Sequence, residues 1–109
     1  MKLKRAMVLV SDDATSKQRG AQAIYQRFQE EMAAKGLLEE VALSYISDVE
    51  RADVVPLVTI YPEAVVYGPV KEQDVPRIVE EHLYKGRVVD ELLAPKREQD
   101  NKTLKRGNE

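Results

Sequence analysis

The chain has 109 residues, of which 43% are hydrophobic and 33% are charged, and its formal net charge is −2. A chain of this length is expected to fold as one domain that buries roughly two-thirds of its unfolded surface. No apolar run approaches the roughly 20 residues that cross a bilayer, so membrane insertion is not expected. The basic residues 1–5 precede a short strand-like run without a signal-peptide cleavage pattern, which predicts a cytoplasmic protein.

The scarcity of two residue types excludes much redox and metal chemistry. The chain contains no cysteine, which excludes disulfides, thiolate nucleophiles and any iron–sulfur or zinc site with cysteine ligands. It contains a single histidine, His82, so a site built from several histidines is excluded as well.

The distribution of charge argues against a nucleic-acid partner. Of the 17 basic and 19 acidic side chains, five and three lie in residues 94–109, which leaves 12 basic and 16 acidic side chains in residues 1–93. An acidic body is a poor platform for a phosphate backbone.

The first half of the chain predicts a strand, a helix and a second strand. Residues 6–10 form a continuous apolar run, typical of a strand buried on both faces, here over about 5–11. Thr15 and Gln18 match a capping box, and apolar residues at helical spacing predict a helix over about 16–35. Residues 41–46 predict the second strand, and a helix between two strands implies a right-handed parallel βαβ unit.

The second half predicts a hairpin and a helix. Two β-branched or aromatic runs, 57–61 and 65–68, flank a turn that contains Pro62. Apolar residues at helical spacing then predict a helix over 74–85, capped by Asp74.

After a short final turn at 88–93, residues 94–109 have Leu104 as their only large apolar side chain and are predicted to form a disordered tail. The domain is therefore placed at 1–93. Its order, βαβ and then ββα, predicts an α/β fold of the thioredoxin-like type, a four-stranded mixed sheet with helices packed on it.

Three stretches resemble the thioredoxin-like 2Fe–2S ferredoxins, which are related to the small iron–sulfur subunit of NADH:quinone oxidoreductases and NAD(P)-linked hydrogenases. Residues 8–11 followed by 16–21 resemble the first strand and the Cys-x4-Cys-x3-Gly-Ala opening of that family. Residues 54–68 resemble its hairpin, and residues 70–86 resemble its closing helix. The resemblance covers about residues 6–93.

The cluster ligands of the family are missing from this chain. The resemblance places Ser11, Ser16, Asp48 and Ala52 at the four cysteine positions. Serine and aspartate oxygens lack the softness of thiolates, and Ala52 offers no donor atom. The turn glycine of the family is replaced by Ala64. No iron–sulfur cluster and no other cofactor is therefore expected.

The resemblance suggests that the surviving surface carries the function. The candidate interaction surface is the loop around the former cluster together with the exposed face of the hairpin. Its residues are Asp12, Asp13, Arg51, Asp53, Val54, Tyr61 and Tyr67.

Each candidate group also has a structural interpretation, which is the one favoured. Ser11 and Ser16 could border an anion site at a helix N-terminus, but loops and caps use the same residues. The acids at 12, 13, 48 and 53 could line a cation site, but they lack the spacing of a calcium loop. For Tyr61 and Tyr67 the competing role is cross-strand packing, and His82 is expected to be a packed or edge histidine.

Three functions remain open at this level. The favoured hypothesis is a cluster-free, non-enzymatic subunit with an interaction, structural or regulatory role, associated with an oxidoreductase complex or forming a homodimer. The alternative is an electron-transfer protein that holds iron or another cofactor through non-cysteine ligands. An enzyme that uses Asp48 or His82 is a third possibility, and it requires both side chains in one pocket.

Overall fold

A computed structural model describes residues 4–47 and 54–95 and has the predicted α/β architecture. Its single described sheet has the order β2-β1-β3-β4. β1 pairs parallel with β2, whereas β3 lies antiparallel to both β1 and β4. The strands are β1 (Ala6–Ser11), β2 (Val41–Ile46), β3 (Val58–Tyr61) and β4 (Val65–Tyr67).

The main core lies between one face of the sheet and the helices. Helix α2 (Ala21–Ala34) buries Ile24 and Phe28 against Val8 and Val10 of β1. Helix α3 (Val75–Ile78) packs beside α2 and adds its own apolar face to the same cluster. The helical period along α2 therefore places its apolar residues against β1, as predicted. The prediction that β1 is buried on both faces is wrong, because Met7 on its other face is 41% exposed.

The prediction of one helix over 16–35 is wrong at its N-terminal end. Gly20 has a left-handed backbone, with φ of 99°, and it separates α2 from a short helix, α1 (Ala14–Gln18). Thr15 does not cap α1. The cap is Asp13, whose carboxylate accepts from the Ser16 N–H at 3.4 Å. An aspartate directly before the first helical turn satisfies an otherwise free amide.

The closing helical segment is less regular than its sequence pattern predicts. A 3₁₀ turn, Glu72–Asp74, leads into α3, and π-helical turns follow over Val79–Tyr84. At the end of these turns the Lys85 N–H donates to the Glu80 carbonyl oxygen, five residues back. Asp74 accepts from the Lys71 N–H at 2.9 Å, so it closes the turn before it and does not cap α3.

Residues 89–95, which we call the C-terminal strap, run along the outer edge of β4. The Gly68 N–H donates to the Leu92 carbonyl oxygen at 3.1 Å, and the Ala94 N–H donates to the Val66 carbonyl oxygen at 2.9 Å. The strap thereby covers part of a sheet edge that would otherwise be exposed. Of the predicted disordered tail, residues 96–109 lie outside the described part of the chain.

The turn between β3 and β4 generates a stability prediction. Ala64 has φ of 61°, a left-handed conformation that costs a residue with a Cβ about 1 kcal/mol or more. Ala64→Gly is therefore expected to raise the free energy of unfolding by about 0.5–1 kcal/mol, measured by urea denaturation.

The matched control is Ala23→Gly, at an exposed position inside α2. There glycine only adds freedom to the unfolded chain, so a loss of about 0.5–1 kcal/mol is expected. A loss of stability in both variants would contradict the strain assigned to Ala64.

Candidate functional site

The two serines that the resemblance places at cysteine positions lie side by side in the interior. Both Ser11, at the end of β1, and Ser16, in α1, are fully buried, and their hydroxyl oxygens are 2.7 Å apart. The Leu57 N–H donates to the Ser11 hydroxyl oxygen at 2.8 Å. The Ser16 hydroxyl in turn donates to the carboxylate of Asp13.

Each serine has only one hydroxyl proton, and this determines which group donates in each hydrogen bond. The single hydroxyl proton of Ser16 is used on Asp13, so the Ser11 hydroxyl has to be the donor between the two serines. One continuous series of hydrogen bonds thus runs from the Leu57 amide through both hydroxyls to a carboxylate. We call these four residues the serine relay. Its ionised end strengthens the bonds before it, because a charged acceptor polarises the donors.

Asp13 is the charged end of the relay. The hydrogen bond from the Ser16 hydroxyl is the largest effect that holds the pKa of Asp13 below its ordinary value. A lowered folded-state pKa means that the ionised carboxylate stabilises the fold at neutral pH, and that this contribution is lost as the pH falls through that pKa. Asp13 therefore stabilises the fold more at neutral pH than under strongly acidic conditions.

The serine relay does not fit an iron–sulfur cluster. The hydroxyl oxygens of Ser11 and Ser16 face each other at hydrogen-bonding distance, and both are committed to protein partners. A 2Fe–2S core is ordinarily held by four soft thiolates, or by imidazole in place of two of them. Asp48 and Ala52 lie outside the described residues, and alanine has no donor atom. Within residues 4–47 and 54–95, no three His, Cys, Asp or Glu side chains converge as a metal site requires.

Comparisons with known proteins place this fold and loop in a family. A 2Fe–2S ferredoxin of Aquifex aeolicus is 34% identical over 80 residues, which are 72% of this chain and 72% of that protein. A 2Fe–2S ferredoxin of Clostridium pasteurianum is 38% identical over 69 residues, 63% of this chain and 68% of its own length. The chain belongs to the thioredoxin-like 2Fe–2S ferredoxin family.

A solved structure supports the same assignment. The crystal structure of the thioredoxin-like 2Fe–2S ferredoxin of Aquifex aeolicus matches with a TM-score of 0.77 at 29% identity, over 85% of this chain and 99% of that one. No family model matches the chain. The predicted thioredoxin-like fold and the predicted family are thus confirmed, and this member of the ferredoxin family has no cysteine.

The neighbourhood of the serine relay contains one unusual polar atom. The Asp12 Oδ1 oxygen is buried and has no hydrogen-bond partner among the described residues. The Asp12 backbone N–H donates to the Ile46 carbonyl oxygen at the end of β2, and residues 48–53, which the structure does not describe, follow shortly after. Arg51 and Asp53 of the predicted interaction surface fall in that same range and lie outside the described residues.

Two members of the predicted interaction surface are wrong. Tyr67 is fully buried, because it lies opposite Val58 in the β3–β4 register and therefore faces the core. Val54 is also buried, at 5% exposure, in a small cluster with Val55 and Leu57. Tyr61 is 43% exposed and remains available at the surface.

The sheet has a second face, which the two long helical segments do not cover. Met7 is 41% exposed and lies directly opposite Tyr61 in the β1–β3 register. Leu9 follows two residues later on the same face and is half-buried. The cluster around Val55 packs on Val66 and so covers part of this face at its β4 side. Met7, Leu9 and Tyr61 define what we call the open face.

A groove of about 210 Å³ lies at one end of the open face. Met7, Tyr61 and Pro62 provide apolar walls, and Lys4 and Arg5 bring two cations to its rim. Arg5 pairs with Glu40 at 2.6 Å, whereas the Lys4 ammonium donates to the Leu38 carbonyl oxygen at 2.8 Å. Met7 and Leu9 were not predicted as surface residues, because a continuous apolar run does not reveal which face of a strand is uncovered. Lys4 was not predicted either, because its sequence position does not show that it borders a groove.

His82 is 3% exposed, and its hydrogen-bond partners are Tyr67 and Glu63, which are not members of the serine relay. Its Nδ1 atom is 2.7 Å from the Tyr67 hydroxyl oxygen, so the packed histidine expected from the sequence is confirmed. Asp48, its proposed catalytic partner, lies outside the described residues. No helix among the described residues is long and apolar enough to cross a membrane.

The serine relay predicts that replacing either serine by alanine lowers the free energy of unfolding. Ser11→Ala leaves the Leu57 amide without its side-chain acceptor in the interior, so the free energy of unfolding is expected to fall by about 1–3 kcal/mol. Ser16→Ala removes the hydroxyl between Ser11 and Asp13, and a loss in the same range is expected. Urea denaturation followed by circular dichroism measures both.

Thr15→Ala is the matched control, because Thr15 is the neighbouring residue whose predicted capping role the structure does not show. A change within about 0.5 kcal/mol is expected. If Thr15→Ala costs as much as Ser16→Ala, the loss in Ser16→Ala does not arise from the serine relay.

Proposed function

We propose that this protein is a cluster-free ferredoxin homologue that acts as an interaction subunit of an oxidoreductase complex. The observation that carries the proposal is the serine relay, in which hydrogen bonds between protein groups join β1, α1 and the segment before β3. The fold is retained while the atoms suited to electron transfer are absent. This combination supports a role in binding, structure or regulation.

The open face supports a docking role. Met7 and Tyr61 expose about two-fifths of their surface as a cross-strand pair, next to a groove with apolar walls. Aromatic and methionine side chains are enriched at the centres of protein interfaces. An apolar centre with charges at its margin is the ordinary anatomy of such an interface.

The charges at the margin indicate the kind of partner. Lys4 and Arg5 form the rim of the groove, whereas the body of the chain is acidic as a whole. The partner proposed for the open face is therefore a protein surface with an apolar protrusion flanked by carboxylates. A partner protein is favoured over a second copy of the same acidic chain, because like charges oppose self-association.

The absence of a cluster is tested by iron analysis. The protein is expressed with iron supplied and purified without oxygen. We expect no visible absorption, and iron well below one atom per chain, because the described donor atoms do not fit a cluster. A coloured protein with stoichiometric iron would favour the alternative, electron transfer through non-cysteine ligands.

The positive control for this measurement restores all four ligands. It combines Ser11→Cys, Ser16→Cys, Asp48→Cys and Ala52→Cys in one chain. Colour and iron in this variant, and not in the natural chain, would show that the fold still accepts a cluster when thiolates are supplied.

The docking role is tested with a tagged chain isolated from its native cell. Tyr61→Asp is expected to lower recovery of the oxidoreductase partner at least about tenfold, because it removes the aromatic area at the centre of the interface and puts there a carboxylate that has to be desolvated. Mass spectrometry identifies the bound proteins, and circular dichroism checks that the variant is folded.

Tyr84→Asp is the matched control, since Tyr84 is also an exposed tyrosine, at 60%, but follows α3 on the helical side of the sheet. It is expected to retain the partner. Equal recovery with both variants would contradict docking on the open face, and recovery of only a second copy of this chain would make that face a dimer interface.

A further inference from the structure

His82 is the chain's only histidine, and both of its ring nitrogens have partners. Nδ1 is 2.7 Å from the Tyr67 hydroxyl oxygen, and Nε2 is 3.4 Å from a carboxylate oxygen of Glu63 in the β3–β4 turn. Tyr67 is fully buried, while Glu63 is about half exposed. The ring therefore joins an interior hydroxyl to a carboxylate at the surface.

The hydrogen bonds determine which nitrogen carries the proton. The Val89 N–H donates to the Tyr67 hydroxyl oxygen at 3.0 Å. Burial raises the pKa of Tyr67, so the phenol keeps its proton and has one hydrogen to donate. That hydrogen is directed at Nδ1 of His82, which has to be the acceptor. The proton of the neutral ring is then on Nε2 and faces Glu63.

A second proton on His82 is incompatible with this arrangement. Nδ1 would become a donor facing the hydroxyl of Tyr67, whose own hydrogen would lose its acceptor inside the core. The contact with Glu63 becomes an ion pair in the same event, but Glu63 is half exposed and its attraction is screened by solvent. Leaving a buried hydroxyl unpaired destabilises the fold by more than a solvent-screened ion pair stabilises it.

Tyr67 also carries the attachment of the C-terminal strap. Its hydroxyl accepts from Val89, the first strap residue, and its backbone lies opposite Leu93. The neighbouring residues Gly68 and Val66 make the two hydrogen bonds that join the strap to β4. A disturbance of the hydroxyl of Tyr67 therefore acts on the strap at its first fixed point.

Most of the other charged groups around His82 are already paired. Arg5 reaches the carbonyl oxygen of the adjacent Leu83 at 2.7 Å and pairs with Glu40. The negative charge of Asp90, in the strap, contributes to the raised pKa of the Tyr67 phenol. The charged side chains on the helical segment of His82 and just after it form the ion pairs Lys35–Glu80, Lys85–Glu80, Lys85–Glu81 and Arg87–Glu81.

From this geometry we infer that His82 is an acid-sensitive latch, which holds the C-terminal strap on β4 while the ring is neutral and loosens it when the ring takes up a second proton. The stabilising state is the deprotonated one, so the strap is held above the pH range in which the ring protonates and loosens as the pH falls through it. Loosening uncovers the outer edge of β4, and an unpaired strand edge is a template for another chain.

The latch is tested by amide hydrogen exchange, read by NMR at about pH 7.5 and about pH 5.5. The reporters are Gly68 and Ala94, whose N–H groups join the strap to β4, and Ile60 in the core strand β3 reports global unfolding. Ring protonation is followed on the same samples. After correction for intrinsic rates, protection of both reporters is expected to fall at least about fivefold relative to Ile60 at the lower pH.

Two variants separate a latch from a merely buried histidine. Tyr67→Phe removes the hydroxyl, so protection at Gly68 and Ala94 is expected to become independent of ring protonation. Glu63→Gln removes the counter-charge, so loosening is expected to persist and to move to lower pH. The inference is overturned if the ring does not protonate in this range, if the reporters keep their protection when it does, or if Tyr67→Phe retains the full pH response.

Discussion

The amide of Leu57 needs an acceptor inside the protein, and the arrangement of the former cluster loop depends on how that need is met. Ser11 accepts this hydrogen bond and donates its own hydroxyl hydrogen bond to Ser16, which donates to Asp13. Asp13 is also the cap of α1, so the relay joins β1, the first helix and the segment before β3. The resemblance to the ferredoxin family puts cluster cysteines at the positions of Ser11 and Ser16, and here hydroxyls and one carboxylate join these segments.

The register of the sheet decides what the protein presents to others. Because successive side chains on a strand point to opposite faces, Tyr61 and Tyr67 have different environments although both belong to the hairpin. Tyr61 lies opposite Met7 on the open face, whereas Tyr67 lies opposite Val58 and enters the core. The same alternation that buries one tyrosine therefore makes the other available to a partner, and it turns the buried hydroxyl toward His82.

The two hydroxyl networks share one design with different acceptors. In each, a backbone amide donates to a buried hydroxyl, and that hydroxyl donates to a side chain. Asp13 is the acceptor beyond the serines and favours the network when it is ionised, whereas His82 is the acceptor for Tyr67 and favours it when it is neutral.

The sequence alone determined the order of strands and helices and the α/β class, because periodicity and turn residues are local properties. It predicted the family through the resemblance of three stretches, and it contains no cysteine. It did not determine the break at Gly20, the cap at Asp13 or the π-helical turns after α3, since each is decided by hydrogen bonds in the folded chain. Only the tertiary structure showed that Ser11 and Ser16 bind each other, because strand pairing and helix packing together set the distance between their side chains.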